Sequence, residues 1–332
     1  MSNQKLLSGL TVIDISQNLP GPYCSYLLQK LGARIIKVES PKKPDPAKYL
    51  PRFYEKLNNK KEIISIDLSS ALDRVEFYEL VKDADILIEG ARPGVAKRLR
   101  VDFETLKQYA PKLVYCSISG YGQFSSKKHI PAHDINLQAD AGLLSLSGNV
   151  QDSISVIPIA DLTSSHKAYS EILAALIVQR SDHSQATFID VSMGEALSDM
   201  VDVWKETLPG HKEITLQLNQ ISLTRYLPSV NPIRKWVYNA VKGELLSNIP
   251  HYGVFKCSDS NWITIGMVDE RHFWISLCEE FGGIFKHFKT MNLKTRIILK
   301  PIIRMLISTK IRKKSSNYWL NKMQNLPVSL VR

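Results

Sequence analysis

Apolar residues along this chain fall into short β-branched runs that alternate with stretches of helical period over the first two hundred residues. "LTVIDIS" reads as a buried strand, "NLPGPYCSYLLQKLGA" as a turn and a helix stopping at Gly32, and "RIIKVES" as a second strand. A strand, helix, strand order with a crossover of this length predicts a parallel βαβ unit. "EIISIDLSS" with Asp67 near its end, "ADILIEG" closing in Gly90, "KLVYCSISGYGQ" with Gly120 and Gly122, and "ATFIDVSM" predict further strands. A helix is expected over about 71–82, whereas the prolines of "PKKPDPAKYLP" predict a loop without a regular element. "SSHKAYSEILAALIVQR" predicts an amphipathic helix with Ile172, Leu173, Leu176 and Ile177 on its core face, and "GEALSDMVDVWKETL" another helix. Strands that repeatedly end in polar, glycine-bearing loops predict one crevice along the carboxyl edge of a parallel sheet, an α/β fold.

The pattern changes after residue 207. Residues 208–250 hold Pro209, Pro228, Pro232 and Pro250 and read as a connection, and residues 251–332 as a smaller α+β domain. In it "YGVFKCSDSNWITIGM" predicts a hairpin turning at 258–261, and "DERHFWISLCEEFGG" a short helix ending at Gly282. The Ile and Leu pairs of "LKTRIILKPIIRMLISTKIRKK" predict packed helices with solvated basic faces.

Net charge changes this picture less than its size suggests. Of the +11, the stretch from Lys286 to Arg332 carries twelve basic residues and no acid, leaving 31 basic against 32 acidic residues elsewhere. No stacking aromatics alternate with those charges, so nucleic acid is not an expected partner. Cys24, Cys116, Cys257 and Cys278 stand far apart with no CxxC pair, which predicts buried free thiols and no metal site. No run of about 18 apolar residues predicts a membrane span, and the opening "MSNQKLLSGL" lacks the pattern of a secretory signal. A soluble, cytoplasmic protein is expected. Glu39 ends the second strand, where a dinucleotide fold places its ribose acid, yet Gly21 between Pro20 and Pro22 makes no GxGxxG. The sheet is kept and a nicotinamide cofactor is not expected.

The candidate chemistry lies between "HDINLQADAGLL" and "PIADLTSSHKA". His133 and Asp161 are two proton carriers that can face one substrate carbon. The structural alternative is that His133 caps a helix and Asp161 serves as an N-cap.

"LSGLTVIDIS" with "PGP", "LGARIIKVESP", "ADILIEGARPGVAKRL", "LVYCSISGYGQ", "HDINLQADAGLL", "PIADLTSS" and "IDVSMGEAL" together resemble the family III (CaiB/BaiF) CoA-transferases, the group that also contains α-methylacyl-CoA racemase. The matches run in family order from Leu7 to about residue 200. The resemblance implies a Rossmann-like large domain, a small second domain and an interlaced homodimer. It implies an acyl-CoA thioester as substrate, with coenzyme A entering as part of that substrate and no permanently bound cofactor. Carried over by position, contacts to CoA fall to Ile66, Asp67, Leu68, Ser69, Gly90, Ala91, Arg92, Arg98, Ala132, Asp134, Ile135, Asn136 and Leu137.

Two reactions are implied. In the transferases an aspartate at the position of Asp161 forms an acyl anhydride and then an aspartyl-CoA thioester. In the racemase that aspartate and a histidine at the position of His133 exchange the α-proton of a 2-methylacyl-CoA. "HDIN" resembles the racemase branch, and either Glu270 or Asp269 in "VDERHFW" matches a glutamate that supports the racemase histidine. Some positions depart from the family. Ser40 stands where a basic residue is usual, Leu137 replaces an aromatic, and Leu162 to His166 replace a glycine-rich loop. Family members also continue past "NYWLNKMQNLPVSLVR" and return to the large domain, a segment this sequence lacks, so a binding homologue without turnover is a third reading.

Overall fold

A computed structural model of the chain describes residues 5–146, 157–179, 185–205, 249–268 and 270–331. They form two compact units, one of Met1–Ser145 with Asn149–Trp204 and one of Leu146–Gly148 with Lys205–Arg332. The expected connection at 208–250 lies almost wholly outside the described residues.

The first unit is built on a six-stranded parallel sheet of order β3-β2-β1-β4-β5-β6. The strands are β1 (Thr11–Asp14), β2 (Arg34–Glu39), β3 (Glu62–Ser65), β4 (Ile86–Glu89), β5 (Val114–Ser119) and β6 (Thr187–Ser192). The central strands are buried on both faces, which explains their near-continuous apolar runs. On one face Ile13, Ile36, Val38, Leu87 and Tyr115 pack with Phe77 and Val81. Those two belong to a helix over Ala71–Lys82, begun by the Ser70 side chain capping Asp73 N–H.

The chain steps one way from β1 to β3 and the other way from β4 to β6, so β1 and β4 flank the point where strand order reverses. Carboxyl-end loops part there and leave the crevice in which such sheets bind ligands. Helix α1 (Pro20–Lys30) follows β1, ends at Leu31 before Gly32 at φ +101°, and packs against the helix over Ile159–Val178.

The proline-rich loop proves partly helical. Pro46 opens a 3₁₀ turn over Pro46–Tyr49 and Pro51 opens helix α2 (Pro51–Asn58). A proline at the first helical position has the right φ and lacks an N–H that would go unpaired anyway, so here it starts elements instead of breaking them.

The second unit carries an antiparallel sheet of β7 (Tyr252–Lys256), β8 (Trp262–Gly266) and β9 (Val328–Leu330) in that order. The hairpin is as expected, and "PVSLV" adds a third strand too short to show an alternating pattern. Phe255, Ile263 and Ile265 face Trp274, Leu277 and Phe281 of a helix over Arg271–Phe281, together with Ile303, Ile307 and Ile311 of a basic helix over Lys300–Ile311. Those isoleucines at four-residue spacing are the packed stripe that left its lysines and arginines to the remaining faces. All four cysteines are free and buried. No helix among the described residues is long and apolar enough to cross a membrane.

Candidate active site

Asp161 stands in the first turn of a twenty-residue helix, α8 (Ile159–Val178), whose N-cap position is Pro158. Proline offers no side-chain oxygen to the first amides, so the cap comes from elsewhere in the fold. Asp134 supplies it: its Oδ1 accepts from the N–H of Ala160 at 2.7 Å and of Asp161 at 3.2 Å. Gln138 donates to the other carboxylate oxygen of Asp134. Asp134 itself opens helix α6 (Asp134–Asp140), for which His133 is the N-cap residue.

The Asp161 carboxylate makes no hydrogen bond among the described residues and is half-buried. Burial first, and the adjacent Asp134 charge second, push its carboxyl up to about 7. A carboxyl so placed takes up and gives back a proton near neutral pH.

His133 is exposed, and its backbone N–H donates to Asn136 Oδ1 at 3.0 Å. It is therefore at a helix cap, as the structural alternative has it. The bond to Asn136 Oδ1 is made by its backbone. Because Asp134 binds the amide of Asp161, the start of α6 is brought beside the start of α8.

The positions matched to CoA contacts lie along the carboxyl edge of the sheet and the start of α6. Gly90 and Ala91 follow β4, and Arg92 and Arg98 are exposed, with neither guanidinium engaged by a carboxylate among the described residues. They sit either side of Gly94, whose φ of +88° makes the turn. Two exposed, unspent cations at a strand end fit a phosphate-bearing ligand. Asp67, by contrast, is already occupied: it accepts from Ser69 and pairs with Lys42 at 2.7 Å, and these contacts hold its carboxyl at about 2. Ile66 and Leu137 are buried, Leu68 and Ala132 half-buried, and Ser69, Ile135 and Asn136 exposed. Leu137 packs at Gly194 beside the end of β5.

The segment after Asp161 is not a loop. Leu162 to His166 are helical, and Ser164 and Ser165 are fully buried. Both hydroxyls reach the Asp161 carbonyl, at 2.8 and 2.7 Å, and Ser165 Oγ also lies 2.8 Å from the Pro20 carbonyl in α1. Serine is tolerated here because its donor finds backbone acceptors.

Sequence reasoning missed the buried polar groups at this edge. Glu89, at the end of β4, is buried and accepts from Ala91 N–H at 2.7 Å, and burial pushes its carboxyl up to about 7. Asp14 lies under α1 with Ser16, Ser25 and Lys61 around it. Glu39, weighed as a ribose acid, is taken by Lys48 and Tyr54.

In the second unit Glu270 is the N-cap residue of the helix over Arg271–Phe281, and its carboxylate accepts from Val268 N–H at 2.8 Å. Its own amide and that of Val268 hold its carboxyl below the usual range. Asp269 lies outside the described residues.

Known proteins bear on this geometry. An acetyl-CoA:oxalate CoA-transferase of Acetobacter aceti is 35% identical over 195 residues, covering 56% of this chain and 50% of its own. Human α-methylacyl-CoA racemase is 25% identical over 271 residues, covering 80% of this chain and 63% of its own. The chain thus spans less than two thirds of the length of either. A solved CaiB/BaiF family protein from Brucella suis superposes with a TM-score of 0.76 at 21% identity, over 98% of this chain and 84% of its own, and so shares the fold. Residues 7–332 match the family described as CoA-transferase family III, and the chain belongs to that family.

Proposed function

We propose that the chain acts on an acyl-CoA thioester through Asp161 and racemises the α-carbon of a 2-methylacyl-CoA, with His133 and Asp161 exchanging the proton. The observation that supports this reading is the tie between Asp134 and the Asp161 amide. It brings the residue next to His133 onto the turn that carries an unengaged carboxyl pushed up to about 7. A base poised near the working pH both removes and returns protons efficiently. Arg92 and Arg98 hold the CoA phosphates in this reading, coenzyme A being part of the substrate, and the working form is a homodimer.

A second reading is transfer of CoA between carboxylic acids through an Asp161 anhydride and aspartyl-CoA thioester. It is favoured by the higher identity to the oxalate transferase. The test is incubation in deuterated water with a panel of 2-methylacyl-CoAs. Racemisation predicts deuterium at the α-carbon. No exchange, together with CoA passing to an added carboxylate, establishes the second reading in its place.

A further inference from the structure

The stretch from the end of β1 through the first turn of α1, residues 15–22, borders the crevice, and three of its backbone carbonyls are each held by a buried side chain from elsewhere in the fold. Ser16 O accepts from Lys37 Nζ of β2 at 2.9 Å, Pro22 O from Lys61 Nζ ahead of β3 at 2.9 Å, and Pro20 O from Ser165 Oγ of α8 at 2.8 Å. The two ammonium groups are neutralised in place by Asp45 and Asp14, each at 3.2 Å. Gly21 is packed so closely that a Cβ there would lie 2.0 Å from Ser16 Oγ. A turn fixed at so many points does not drift.

Only one of these three donors also touches the Asp161 turn. Ser165 Oγ is 2.7 Å from the Asp161 carbonyl, so its single hydrogen is shared between that oxygen and Pro20 O. Ser164 Oγ reaches the same Asp161 carbonyl at 2.8 Å. Removing the Ser165 hydroxyl therefore leaves the intrahelical bond covered and severs the link to Pro20 alone.

We propose that Ser165 is a positioning residue that registers the Asp161 turn of α8 against the clamped 15–22 connection at the crevice. The proposal rests on the reading of Asp161 as the reacting group. A displacement of a reacting group by about 1 Å can cost on the order of a hundredfold in rate, so a tie between the helix and a rigid turn acts on kcat and leaves substrate affinity alone.

The experiment compares Ser165→Ala, Ser164→Ala and Asp161→Asn in the full chain. Turnover of an acyl-CoA is measured with deuterium exchange at backbone amides in peptides spanning 16–23 and 159–165. Ser165→Ala is expected to lower kcat by roughly tenfold or more at an unchanged KM, a fraction of the cost of a full 1 Å misplacement. Amide exchange should rise in 159–165 while 16–23, still held by Lys37 and Lys61, stays protected, and Ser164→Ala should change neither kcat nor exchange. An unchanged kcat in Ser165→Ala overturns the proposal, as does exchange in 159–165 that stays at the level of the unaltered protein. A loss of kcat and KM in step with lowered thermal stability reduces Ser165 to a packing residue and overturns it too. An active Asp161→Asn sinks the parent reading instead, and the exchange arm, which needs no turnover, then decides the coupling by itself.

Discussion

Asp134 caps the helix that carries Asp161 from 27 residues upstream, and it does so with a charge that the neighbouring carboxyl feels. Asp134→Asn keeps an oxygen at the cap and removes the repulsion. An acid whose carboxyl is pushed up to about 7 is half-ionised there, so a reaction that begins from the carboxylate rises with pH through that range. With the like charge gone the rise should move to lower pH, only part of the way back because burial is the larger cause. The measurement is kcat/KM against pH, and a limb that stays in place means Asp134 does not tune Asp161.

His133 separates the two reactions. His133→Ala should abolish α-proton exchange while Asp161→Asn abolishes both exchange and CoA transfer. Persistent α-exchange in His133→Ala, read by mass spectrometry, removes the histidine from the mechanism.

Glu89 makes stability depend on pH with a definite sign. Its carboxyl is raised from an ordinary 4.5 to about 7 by burial, so the folded state keeps a proton that the unfolded chain releases. The stabilisation is present below about 4.5 and is lost as pH climbs to about 7, by about 3 kcal/mol if the whole shift is realised. Glu89→Gln should flatten this part of the decline, leaving the same-signed contribution of Asp161. Urea unfolding at pH 5 and pH 8 checks it, and an equal loss in both proteins contradicts it.

Two glycines should respond differently to a single methyl group. At Gly21 a Cβ meets Ser16 Oγ at 2.0 Å and Ser16 Cβ at 2.3 Å, so Gly21→Ala should cost roughly 3 kcal/mol or more through overpacking. At Gly94 a Cβ meets nothing within 4 Å and only the left-handed φ of +88° resists, so Gly94→Ala should cost about 1 to 2 kcal/mol. Denaturant midpoints rank the two, and the reverse order contradicts the packing argument.

What the sequence discloses depends on how local the cause is. The helix at 71–82 is legible because its cap, period and stop lie within a few residues of one another. Lys37 shows the opposite case. It reads as one polar position in an apolar strand, yet it is fully buried, because its partner Asp45 and the Ser16 carbonyl arrive only with the fold. The core face of α8 departs from its hydrophobic pattern for a related reason. Ile172 is buried as expected, but Leu173 and Leu176 are only half-buried and Ile177 is 67% exposed, while Ser165, Ala168 and Ala175 face inward. Close packing against α1 and the sheet selects small side chains, which hydrophobicity alone does not flag. At the site, Asp161 and the Gly90–Arg92 turn stand out as candidates from the residues around them. Asp134 as the cap of another helix, and Ser165 as a bond to α1, do not, since each depends on a residue far away in the chain.

The seam between β1 and β4 has a further consequence for how this unit is assembled. It joins Val12 to Ile86 and Asp14 to Ile88, a separation approached in this sheet only by β5 with β6, where Val114 pairs with Thr187. Such distant pairings carry about 1 kcal/mol more loop-closure cost than pairings a third as far apart and tend to form late. A chain with only one half of the sheet folded would have sound strands and no crevice, so ligand binding reports on completion of the whole unit, and not on the health of either half.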